Sequence, residues 1–139
     1  MRDFGTVNSN HESQLPNHTL SLWVPVVAYM AVIFYLSSLH NPPLPPEVSD
    51  KAGHSFGYTW LGIFVTRALA RGLPRRIGLG VALGALAIAI AYGMSDEFHQ
   101  SFVAGRTEDV YDLFADAVGA GIGVVACWLW GIIAIRNPL

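Results

Sequence analysis

Between positions 77 and 94 the chain is written almost wholly in Gly, Ala, Leu, Ile and Val, with no charged side chain. A helix on the surface of a water-soluble bundle needs a polar face, and this stretch has none. At 1.5 Å per residue it comes close to filling a hydrocarbon core of about 30 Å. Its small residues also suit close approach between helices in lipid. Three further stretches have comparable length. Residues 20–39 carry no charge, residues 113–135 carry only Asp116, and residues 52–70 carry His54 and Arg67 among apolar neighbours. The expected fold is therefore all-α, a bundle of four transmembrane helices with short loops, and 139 residues suffice for one such domain. The composition agrees, at 53% hydrophobic and 13% charged with a net charge of −2. That balance excludes a disordered chain and argues against a nucleic-acid partner held by phosphate contacts. A single cysteine, Cys127, excludes a disulfide framework or a Cys-rich zinc site.

Residues 1–19 are polar, lack the pattern of a signal peptide, and are read as a flexible cytoplasmic tail ahead of a domain at 20–136. Pro25 falls near the start of the first span, where a missing N–H costs least. Asn41-Pro-Pro-Leu-Pro-Pro46 then forbids helix and reads as an extended connector. Orientation follows from the basic residues. Arg67, Arg71, Arg75 and Arg76 cluster between the second and third spans, and Arg2 and Arg136 flank the termini. Only Lys51 and Arg106 fall on the other side. The positive-inside rule places both termini and the arginine loop in the cytoplasm, with membrane lipids as the first partners of the chain.

The outer side collects the ionisable residues. Asp50, His54 and Tyr58 are four apart and share a helix face, with Lys51 on its edge. Tyr92, Asp96, His99 and Gln100 fall near one stripe at the end of the third span if its helix continues that far, and Glu97 lies beside them. Asp109, Asp112, Asp116, Gly119 and Gly123 recur at three- and four-residue steps into the fourth. A charge facing lipid at the bilayer centre costs about 3 kcal/mol on insertion scales. These groups are therefore expected to converge into one outward-facing polar cavity, with Lys51 and Arg106 bridging the carboxylates of Asp50, Asp96, Glu97, Asp109, Asp112 and Asp116.

At these residues the chain resembles the VanZ-like family of small polytopic bacterial membrane proteins. The likeness rests on Tyr35-Leu-Ser37-Ser38 with the proline stretch, Asp50-Lys51-x-x-His54 with Tyr58, and Asp96-Glu97-Phe-His99-Gln100. Gly105-Arg106-Thr107 and Asp109-x-x-Asp112-x-x-x-Asp116-x-x-Gly119-x-x-x-Gly123 complete it. It spans residues 20–130. Many members carry Asn at the place of Asp116, which weakens a proton-handling role for that carboxyl. The resemblance implies a bacterial inner-membrane location, a role in the cell envelope and reduced sensitivity to the glycopeptide antibiotic teicoplanin; it implies no reaction.

Three functional readings follow. The first is binding of a cell-envelope or lipid-linked ligand, a cell-wall precursor or glycopeptide, by Asp50, Lys51, His54, Tyr58, Asp96, Glu97, His99, Gln100, Arg106, Asp109, Asp112 and Asp116. The second is an enzyme on a phosphorylated lipid or polysaccharide precursor. In it Lys51 and Arg106 clamp phosphate, and Glu97, His99 or His54 serve as catalytic acid and base. The third is a transporter, for which four spans require an oligomer. The plainest alternative to all three is an ion-pair network that only holds the helices in register. No cofactor motif is present. Neither is a zinc spacing, so His54 and His99 are assigned hydrogen bonds to neighbouring carboxylates rather than a metal. Gly119 and Gly123 are read as internal helix packing.

Overall fold

The computed structural model describes residues 14–40, 43, 45–107 and 109–136. Residues 1–13 of the expected tail lie outside them, as do parts of the proline connector. Four helices follow one another: α1 (Gln14–Ser37), α2 (Asp50–Leu69), α3 (Leu79–Gln100) and α4 (Val110–Arg136), with no strand among the described residues. The helix α1 already includes positions 14–19, which the sequence reading assigned to the tail. Pro25 therefore sits inside the helix rather than at its start. It leaves the Ser21 carbonyl without an intrahelical donor, a defect that apolar membrane helices accommodate.

Three of the helices, α1, α3 and α4, are long and apolar enough to cross a membrane. The exception is α2, whose polar residues lower its hydropathy. Its place in the bundle explains how the chain tolerates them, for α2 packs against all three other helices, whereas α1 and α4 do not touch. Tyr58, Leu61, Val65 and Thr66 are buried there. Around them the core takes Leu22 and Val26 from α1, Ala85 and Ala89 from α3, and Ala120 and Val124 from α4. Large apolar side chains point outward, among them Val27 and Phe34 on α1, Leu83 on α3, and Ile122 and Leu129 on α4. Such a surface is costly in water and suited to acyl chains.

The α2–α4 contact is made backbone to backbone. A Cβ on Gly119 would strike the carbonyl of Ser55, one on Gly123 that of Thr59, and one on Gly62 would lie 2.6 Å from the Ala120 carbonyl. Gly119 and Gly123 thus serve packing within the chain, as the spacing suggested. The helices run alternately up and down. Gly131 near the end of α4 abuts Arg75 in the α2–α3 loop, and His40 after α1 reaches Ala104 in the α3–α4 loop.

Helix ends set what enters the site. Ser49 caps α2, its hydroxyl accepting from the Ala52 N–H at 3.2 Å, and Asp50 in the first turn complements the helix dipole. The helix α3 runs through Gln100, past the expected end at Met94, which carries Asp96, Glu97, His99 and Gln100 on a rigid element. At 27 residues, α4 is about 40 Å long. That exceeds an apolar core of about 30 Å, so its acidic first turns can stand outside the hydrocarbon.

Candidate functional site

The N-terminal end of α2, the C-terminal end of α3 and the start of α4 meet at one end of the bundle. Their polar residues fall into three adjoining groups. Outermost, Lys51 Nζ donates to Asp109 Oδ2 at 2.8 Å and to Asp112 Oδ1 at 3.1 Å. The ammonium is half exposed, whereas Asp112 is buried. The Lys51 ammonium and the Tyr111 N–H hold the Asp109 carboxyl below its ordinary range. The sign of the pH dependence follows. A depressed carboxyl pKa contributes stability that is present above the unfolded value and lost as the pH falls through the folded one, so this pair is constant between about pH 5 and 8. Lys51→Ala should lower the thermal midpoint of the purified protein by a few degrees at low salt. High salt, which screens an exposed pair, should shrink that difference; a midpoint unchanged at low salt would contradict the bridge.

A second group surrounds Arg106. Gly105, with φ of 80°, turns the chain ahead of it. A Cβ at Gly105 would overlap the His40 ring, whose Nδ1 is 2.7 Å from the Ala104 carbonyl. The turn thereby sends Arg106 inward. Its Nε and Nη2 donate to Gln100 Oε1 at 3.2 and 2.7 Å, and Nη1 lies 3.9 Å from Asp50 Oδ1. Gln100 Nε2 in turn donates to Asp96 Oδ2 at 3.2 Å, and the Ser37 hydroxyl donates to Asp96 Oδ1 at 2.6 Å. Asp96 is buried and is satisfied without a cation. Neutral donors can hold a buried carboxylate when enough of them converge.

The third group is the deepest. His54 Nδ1 lies 2.9 Å from Asp116 Oδ1, and Glu97 Oε2 accepts from the Asp109 N–H at 3.0 Å. Glu97 Oε1, Asp116 Oδ2 and the Tyr58 hydroxyl are buried with no hydrogen-bond partner. The expected bridging is thus corrected. Lys51 reaches Asp109 and Asp112, Arg106 reaches Asp50, and no Lys or Arg pairs with Asp96, Glu97 or Asp116 among the described residues. The buried carboxyls instead take other donors, His54 for Asp116, the Asp109 N–H for Glu97, and Ser37 with Gln100 for Asp96, and two long side chains cannot span six carboxyls.

His99 does not join this cluster. Its Nε2 is 3.0 Å from the Ser38 hydroxyl, and its ring stacks on Phe34 with centroids 4.2 Å apart. The expected hydrogen bond to a carboxylate, and the acid–base pairing of His99 with Asp96 or Glu97, are not formed. His99 lies two residues after Glu97, about 200° round the helix, so it turns to α1 while Glu97 turns to α2 and α4. Tyr29, Phe34 and Ser37 on α1, with Ser38 just after it, are participants that the sequence reading left without a role. Tyr29 donates to the Gly57 carbonyl at 3.1 Å. The polar Ser37-Ser38 pair closing an otherwise apolar helix was the available signal.

Between α1, α2 and α3 lies a hollow of about 130 Å³. Tyr29, Val32, Ile33 and Leu36 of α1 form an apolar wall, and Asp50, His54, Tyr58, Asp96, Gln100 and Arg106 line the rest. Half of the twelve predicted ligand-binding residues therefore border it. Lys51, Glu97, His99, Asp109, Asp112 and Asp116 do not line it. The arrangement offers a guanidinium already pre-oriented by an amide, next to apolar surface.

A family model described as VanZ/LLP1 matches residues 2–131, and so takes in the stretch before α1, the first three helices and α4 up to Gly131. The chain matches no curated protein and no solved structure.

Proposed function

This chain belongs to the VanZ/LLP1 family, and from that premise we propose that it is an inner-membrane protein of the bacterial cell envelope that receives a lipid-linked phosphate ligand in the hollow beside Arg106. In this reading α2 is the fourth span. Its polar residues are sheltered by contacts to α1, α3 and α4, which suits a helix too polar to face lipid. Both termini and the arginine loop are cytoplasmic, in keeping with the basic residues at that end, and the Lys51–Arg106 end faces outward. The domain takes in α1 through α4, residues 14–136.

The observation that carries the ligand reading is the pairing of surfaces in one hollow, Val32, Ile33 and Leu36 along one wall and Arg106 with Gln100 at the polar end. An acyl or isoprenoid chain matches the first, and a phosphate oxygen matches the free donor capacity of the second. Undecaprenyl phosphates and peptidoglycan precursors combine these features. Occupancy by such a precursor would account for an effect on teicoplanin sensitivity, since that antibiotic acts on cell-wall precursors. The His54–Asp116 pair favours a second reading, in which the same ligand undergoes acid–base chemistry at His54, which borders the hollow.

Thermal unfolding in nanodiscs tests the binding. Undecaprenyl phosphate should raise the midpoint, with about 2.7 kcal/mol of stabilisation at a hundredfold excess over Kd, and undecaprenol should not. Arg106→Gln should abolish the response by removing the phosphate partner, and Val32→Trp by filling the hollow. Equal responses to the phosphate and the alcohol, or an unaltered response in both variants, would overturn the proposal.

A further inference from the structure

His54, Glu97 and Asp116 come from three different helices, and each offers a ligand atom within 4.8 Å of those of the other two. We propose that these residues bind one divalent transition-metal ion, with zinc the best match to one imidazole and two carboxylates.

Charge is the first argument. Glu97 and Asp116 are 7% and 1% exposed, and a buried carboxylate without a counter-charge is costly. The two cations at this end are engaged elsewhere, Lys51 with Asp109 and Asp112, and Arg106 with Gln100 and Asp50. His54 alone faces both acids. A divalent ion balances two carboxylates, and imidazole and carboxylate are both established zinc ligands.

Unfilled valence is the second argument, and it is independent of the acidic clustering. Glu97 Oε1 and Asp116 Oδ2 each lack a partner, although their second oxygens are bonded to the Asp109 N–H and to His54. The Tyr58 hydroxyl, on a residue 2% exposed and one turn below His54, also lacks one. Gly93 borders two of these groups: a Cβ there would lie 2.9 Å from Asp116 Oδ2, 3.2 Å from Leu113 Cδ1 and 3.4 Å from Tyr58 Cε1, so the missing side chain lets the Asp116 carboxylate and the Tyr58 ring close up against α3. Zinc–ligand bonds of about 2.0 Å in a tetrahedron put donor atoms about 3.3 Å apart. Separations of up to 4.8 Å therefore need to close by at most about 1.5 Å, within reach of side-chain rotations. The Asp109 N–H bonded to Glu97 Oε2 holds that carboxylate in place, as groups behind metal ligands commonly do. This ligand set replaces the His54/His99 pairing that the sequence reading weighed and set aside.

The full chain in detergent, stripped with EDTA and then incubated with zinc sulfate and desalted, should retain about one zinc ion per chain by elemental analysis. Manganese and magnesium serve as comparison ions, and cobalt gives a visible spectrum that reports its donors. Glu97→Gln keeps an oxygen for the Asp109 N–H, and Asp116→Asn keeps the shape; each should weaken zinc binding tenfold or more and remove the cobalt spectrum. His99→Gln, away from the cluster, should leave both unchanged. Zinc retained at under a tenth of an equivalent by the folded wild type would overturn the proposal, as would full binding by the Glu97 and Asp116 variants.

Discussion

Gly119→Ala and Gly123→Ala should each destabilise the protein by about 3 kcal/mol, the upper end of the usual cost of overpacking. The added methyl in each case meets a backbone carbonyl of α2, Ser55 or Thr59, which cannot swing aside as a side chain can. Relief requires α2 and α4 to separate, and that loosens Ala120 and Val124 against Leu61 and Val65 as well. Gly121 supplies the internal control, because a Cβ there meets nothing. Gly121→Ala should be neutral or slightly stabilising through helix propensity. Unfolding by heat or by denaturing detergent reads the difference, and equal behaviour of all three variants would contradict the close α2–α4 contact.

His54→Ala, measured with chelator present, should cost about 3 kcal/mol, as expected when one partner of a buried pair is removed. Asp116 is 1% exposed and His54 supplies its one side-chain hydrogen bond among the described residues; truncation strands both of its oxygens. Asp116→Asn in the His54→Ala background should restore part of the loss, since a neutral amide is cheaper to bury than a carboxylate. Thermal midpoints of the single and double variants decide this. A double variant no more stable than His54→Ala would show that the buried charge is not what His54 relieves.

Much of the architecture was legible because membrane spans are read from composition. Residues 77–94 and 20–39 could hardly be anything but apolar helix, and all but two residues of each lie in α3 and α1. The convergence of Asp50, His54 and Tyr58 with Asp96 and Gln100 was legible for a related reason. Helical periodicity puts them on inward stripes, and lipid excludes the outward alternative. Pairing was not legible. Whether Lys51 meets Asp109 or Glu97 depends on how α2 and α4 are rotated and how high each stands, which no spacing within one helix contains. His99 shows this most clearly. Its spacing from Asp96 placed it near the polar stripe, yet Phe34 on α1 and Ser38 just beyond it claim it. The start of α1 was misplaced because polar residues at a helix end outside the apolar run look the same as a loop. The packing roles of Gly93 and Gly105 were not legible because what matters at each is a side chain from elsewhere in the chain, Asp116 for the one and His40 for the other.

The central claim is that the ionisable ends of α2, α3 and α4 form one cluster at the aqueous face opposite the arginine loop. Cysteine labelling tests it most directly. Cys127, the single native cysteine, is buried and is replaced by alanine. In that background Thr107→Cys, exposed beside Arg106, should react with a membrane-impermeant maleimide in intact spheroplasts, and Arg76→Cys should react only after lysis. The reverse pattern, or labelling of both positions from the same side, would contradict the account.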